Sequence, residues 1–140
     1  MQLDEKIALN VSAWHSATSY DPNKFGLYVV PVPDVSLQVV EDALDLALDN
    51  FFEVGIDQDH LKRIKTQIKA SEIFALDNQE GIARAYGTAL TSGLSVNDVK
   101  EWPNILAAVS AEDIMIAARK VLNPKSSVTG WIRGSQEIAE

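Results

Sequence analysis

Apolar and polar residues alternate from Ile7 to Ser16, with Ile7, Leu9, Val11 and Ala13 on one side and Ala8, Asn10, Ser12 and Trp14 on the other. A period of two is that of a half-buried strand. Ser16 to Lys24 is turn-rich around Asp21-Pro22-Asn23, and Phe25 to Val30 reads as a second strand, broken at Pro31 and Pro33. Two strands joined by one turn-rich loop predict an antiparallel hairpin.

The spacing then becomes helical. Leu37, Val40, Leu44, Leu48 and Phe51 form one stripe, with Asp34 or Ser36 as the cap and Gly55 as a left-handed stop. Asp57 caps a second helix with Leu61, Ile64, Ile68 and Ala75 on its stripe, and Asp77-Asn78 kinks or breaks it. Ile82, Tyr86 and Leu90 carry the helical pattern on to Gly93. Ser95 with Asp98, and Ser110 with Asp113, have the spacing of capping boxes with Asp in place of the usual Glu. Pro103 is expected to end or bend the helix it sits in. Ile114, Ala117, Ala118 and Val121 form the last helical stripe, and Asn123-Pro124 stops it. Ser127 to Arg133 reads as a final strand.

The predicted order is β-β-α-α-α-α-β. Grouped strands and grouped helices make the class α+β, with helices packed on one face of an antiparallel sheet. Residues 1–140 are expected to form a single subdomain. Ile7, Leu9, Val11, Phe25, Leu27 and Val29 would face the helices, together with Val128, Gly130 and Ile132. The other face would carry Asn10, Ser12, Trp14, Tyr28 and Trp131. Three strands leave an exposed edge, through which a homo-oligomer or a larger parent domain could pair.

Composition narrows the function classes. The formal charge of -8 argues against a nucleic-acid footprint and against an anionic membrane surface. Asp42, Asp45 and Asp49 are spaced as one solvated helix face. With no cysteine there is no disulfide, thiolate nucleophile or Cys-based metal site. No stretch reaches the apolar length of a membrane span and no signal peptide is visible, which says nothing about a parent protein; a soluble protein is expected, its compartment, cytoplasm or periplasm, left open. Because the chain opens directly in strand-like sequence, Met1 is expected to be an added start on an excised domain. Ser16, Thr18 and Ser19 lie near His15, but adjacency in sequence makes no triad. The glycines form no phosphate loop. Arg84 and Tyr86, two apart on a helix, point in different directions.

The blocks Gly55-Ile56-Asp57, Leu61 with Lys65, Ala83 with Gly87, Val109-Ser110 with Glu112-Asp113, and Ala118-Arg119-Lys120-Val121-Leu122 run in one order over nearly the whole chain. In order and spacing the chain resembles the C-terminal part of a domain of the pitrilysin/insulinase and mitochondrial processing peptidase family of zinc metallopeptidases. His60 stands where that family usually has Glu. The family's zinc motif, H-x-x-E-H, is absent. The chain has only His15 and His60, and neither is followed by the required Glu and His. An Arg–Tyr pair that the family places near the substrate carbonyl falls at Gln2 and Leu9, so its chemistry is not retained.

The resemblance implies a non-catalytic C-terminal subdomain of a zinc metalloendopeptidase, serving proteolysis by completing a peptide-enclosing chamber. The chain itself would carry no cofactor and no catalytic or metal-ligating residue, while zinc would sit in the parent protein. Its partners would be the N-terminal zinc-bearing half and a peptide substrate. Trp14, Tyr28 and Trp131 would form the substrate- or partner-facing patch. The alternative is an inactive relative serving as an assembly subunit. A small independent binding module is a third reading, marked by a stable monomer with a fully covered sheet.

Overall fold

The computed structural model describes residues 7–16, 18–21 and 23–134. Strands β1 (Ala8–His15) and β2 (Phe25–Pro31) pair antiparallel. Five helices follow: α1 (Leu37–Val54), α2 (Gln58–Ala75), α3 (Gln79–Thr91), α4 (Val96–Ala108) and α5 (Ala111–Val121), then a 3-10 turn at Pro124–Ser126. The class is α+β as the pattern predicts. The count differs because Asn78 breaks the chain: its side chain accepts from the Gly81 N–H at 2.9 Å and starts α3 as a separate helix.

Each helix boundary has a local cause. Ser36, not Asp34, caps α1, its hydroxyl accepting from the Val39 N–H. Asp57 caps α2 by accepting from the N–H groups of Asp59 and His60 at 2.8 and 3.0 Å. Ser95 and Ser110 form complete capping boxes with Asp98 and Asp113. Helix α3 ends in a Schellman motif, with the Leu94 N–H on the Ala89 carbonyl at 3.0 Å, the Gly93 N–H on the Leu90 carbonyl, and Gly93 at φ 84°. Gly55 is not left-handed helical as expected. At φ 78° and ψ -158° it lies in an extended region open to glycine alone.

Pro103 does not end its helix. Helix α4 runs through it to Ala108. The carbonyl that Pro103 leaves unbonded lies on a half-exposed helix, where water can bond it.

The expected third strand is absent from the described residues. Thr129 to Ile132 lines a groove with β2, yet no backbone hydrogen bond joins Ser127–Arg133 to the strand. Val128 is 97% and Ile132 85% exposed, so neither lies under the helices. The segment is held by a side chain instead: the Trp131 Nε1–H donates to Glu41 Oε2 of α1 at 2.9 Å. Leu9 also departs from its expected face. It is the extra residue of a bulge between Ala8, opposite Pro31, and Asn10, opposite Val30, and it is 67% exposed.

Packing is sparse. Among the described residues only Val40, Ala89 and Ala118 are buried, and no polar side chain is. The accessible surface is 11639 Å². A compact monomer the size of the 126 described residues exposes about 6,600 Å². The fourteen residues outside the description can add at most about 2,200 Å², the value for a fully extended chain. About 2,800 Å² therefore remains beyond compact packing. The helices are well formed, and their apolar faces are largely uncovered.

Candidate functional site

The hairpin presents two of the three aromatic side chains singled out from the pattern. Trp14 pairs with Gly26 across the ladder, and Tyr28 pairs with Ser12 one step along the same face. Gly26 is the residue that lets this happen. A Cβ there would lie within 2.6 Å of three atoms of the Trp14 indole, so the ring lies across a position without a side chain. Both Trp14 and Tyr28 are 53% exposed.

Trp131 reaches the same neighbourhood by another route. Its indole N–H is tethered to Glu41, and the Arg133 guanidinium stands 5.2 Å from its ring centroid. Tyr28 and Trp131 both line a groove of about 310 Å³ between β2, α1 and the segment Thr129–Ile132. Trp14 lies further along the hairpin face and outside that groove. The groove is chiefly apolar, with Glu41 and Asp45 as its carboxylates. Its chemistry is that of a binding surface: aromatic faces, one free sheet edge and two acids.

The histidines are held apart from one another and from any ligand set. His15 ends β1, with its Nδ1 3.3 Å from the Lys24 carbonyl. His60 lies in the first turn of α2, where its Nδ1 accepts from Arg63 Nη2 at 3.1 Å. No group of three His, Asp or Glu side chains able to hold a metal exists among the described residues. His15 and His60 as placed here do not by themselves make a zinc ligand set. Gln2 lies outside the described residues, and Leu9 is the bulged residue of β1.

The helix starts concentrate charge in a regular way. The carboxyl of Asp57 is held below its ordinary value of 3.8, chiefly by the His60 N–H. Asp98 is lowered by the Ser95 N–H and then its hydroxyl. Asp113 is lowered by the Ser110 hydroxyl, then the Ser110 N–H, with a smaller effect from Lys65. Each donor is bonded to the ionised form, which lowers the pKa.

Lys65 was visible in the sequence only as one letter of a pattern. In the structure it joins three helices. From α2 its ammonium donates to the Ala107 carbonyl at 2.8 Å, satisfying an orphan group at the end of α4, and its charge also acts on Asp113 of α5. It stands in a second groove, of about 460 Å³, between α2 and α4. Lys62 and Lys69 flank it on the same side of α2. The sequence signal was a spacing of three and four between lysines, hidden by the net negative charge. Among the described residues no helix is long and apolar enough to cross a membrane. No protein-family model and no curated protein matches the chain.

Proposed function

We propose that the chain is a non-catalytic interaction subdomain that completes a larger peptidase-like fold. One observation carries this reading: about 2,800 Å² of surface beyond that of compact packing, on helices whose ends are individually well capped. Three buried side chains cannot offset the entropy of ordering more than a hundred residues. The missing burial has to come from another polypeptide surface. In the resembled family that surface is the zinc-bearing half, and the Trp14–Tyr28 face with Trp131 would look toward it or toward enclosed peptide. Zinc and the general base would then belong to the partner half, and this chain would shape the chamber.

The test is reconstitution. The transcript that encodes the chain is read for an H-x-x-E-H segment, and that segment is expressed separately and mixed with this chain. Peptide cleavage that needs both parts supports the reading. A compact, cooperatively unfolding monomer, with no such segment in the transcript, overturns it. An eroded motif in the transcript moves the role from proteolysis to assembly. The purified chain alone is expected to bind no stoichiometric zinc and to cleave no peptide. Zinc at one equivalent by elemental analysis, lost in His15→Ala or His60→Ala, would contradict this.

A further inference from the structure

The groove between α2 and α4 is basic on a chain that is otherwise strongly acidic. Lys62, Lys65 and Lys69 line it with Leu61 and Ile68, and Glu72 is its one carboxylate. Lys65 is bonded to α4, but Lys62 and Lys69 form no salt bridge. Among the described residues the only one is Arg84 with Glu80. A groove with an apolar floor and free ammonium groups on its rim fits an amphipathic helix carrying carboxylates.

Helix α1 is such a helix. It holds Glu41, Asp42, Asp45, Asp49 and Glu53 and no Lys or Arg. Its inner side packs toward β2. Its outer side presents Val39, Asp42, Leu46, Asp49 and Glu53, at offsets of three and four residues. At about 100° per residue these fall within roughly a third of the circumference. Val39 is 49% and Leu46 70% exposed, and the three acids are exposed with them. Apolar and acidic positions therefore alternate along one exposed stripe of α1. Apolar and basic positions are interspersed along the α2 side of the groove.

We infer that two copies of this chain dock reciprocally, the outer stripe of α1 in each seated in the α2–α4 groove of the other. The arrangement is isologous, so it closes as a dimer rather than growing as a fibre. A standard interface removes about 800 Å² per partner, well within the roughly 2,800 Å² left beyond compact packing. The dimer uses neither the sheet edge nor the aromatic face, so both stay open for the peptidase-like role.

Sedimentation of the full chain tests it. The wild type is expected to dimerise in the micromolar range and to weaken as salt rises. Lys62→Glu/Lys69→Glu places acid opposite acid, and Asp42→Lys/Asp49→Lys places base opposite base. Each double variant should dimerise at least about tenfold more weakly. Mixed together, they restore both contacts and should form a heterodimer, because the reversed stripe of one meets the reversed groove of the other while the native stripe meets the native groove. Circular dichroism confirms that both variants keep their helices. Failure of the mixture to associate while the wild type dimerises overturns the proposal and puts the contact elsewhere. A wild-type chain that stays monomeric also overturns it. If that monomer binds a synthetic acidic amphipathic helix, the groove takes a different partner.

Discussion

The corner where α2, α4 and α5 meet and the groove where β2 meets the Thr129–Ile132 segment are built on opposite plans. At the corner the helix start is capped locally, and one long-range bond closes the neighbouring helix end. Ser110 and Asp113 satisfy each other's backbone, and Lys65 closes the end of α4. At the groove the segment shares a lining with a strand, no backbone hydrogen bond joins the two, and one indole–carboxylate bond anchors it. The difference is one of range. A cap is completed by a residue three positions away and forms as soon as the turn forms. A strand edge is completed only by a segment brought from far along the chain, or from another chain, after loop closure has been offset.

The largest effect expected from breaking a local feature is at Gly55. Its φ of 78° excludes ordinary side chains, although nothing lies within 4 Å of where a Cβ would stand. Gly55→Val should therefore destabilise through the backbone alone, by about 1–3 kcal/mol. Urea unfolding followed by helical dichroism measures it. An unchanged midpoint would mean that the α1–α2 junction is not held in this conformation.

Next comes the corner itself. Ser110→Ala removes the hydroxyl that accepts from the Asp113 N–H at 3.1 Å and donates to its carboxylate, and should cost about 1 kcal/mol. Ser110→Thr restores a hydroxyl that both accepts from the Asp113 N–H and donates to its carboxylate, and should recover most of the loss. No recovery would argue that the hydroxyl acts through packing.

Acid probes all the caps at once. Asp57, Asp98 and Asp113 have folded pKa values below the ordinary 3.8, so the unfolded chain binds protons more readily. Their contribution is complete above the ordinary carboxylate range and declines as pH falls through 3.8 toward the lowered folded values. A pH titration of helical dichroism should show this decline in the wild type, and a smaller one in Asp57→Asn. Helicity that rises on acidification would reverse the sign.

The smallest effect is expected at the groove. Trp131→Phe deletes an exposed hydrogen bond to Glu41 and should shift global stability by no more than about 0.5 kcal/mol. Backbone order parameters at Thr129 to Ile132 should nevertheless fall, because that bond anchors the segment. A large global loss from this variant would show that the segment is part of the cooperative core.

The helices and their ends were legible in the residue pattern because their causes lie within a few residues. Ser95 with Asp98, Ser110 with Asp113, Asp57, and the glycines at 55 and 93 all act where the spacing placed them. The hairpin was legible for the same reason, since its strands are joined by one short loop. What the pattern could not reveal depended on register and on distant neighbours. Leu9 left its expected face because a bulge shifts the ladder by one residue. Ser127 to Arg133 has the composition of a strand, but composition supplies no partner for its backbone. Lys65 became a junction only when α4 and α5 were brought to its ammonium from more than forty residues away. Hydrogen bonds between near residues need little loop closure, so short-range sequence encodes them. Long-range pairing depends on what else is present to be paired, and in this chain that includes surface that its own helices leave uncovered.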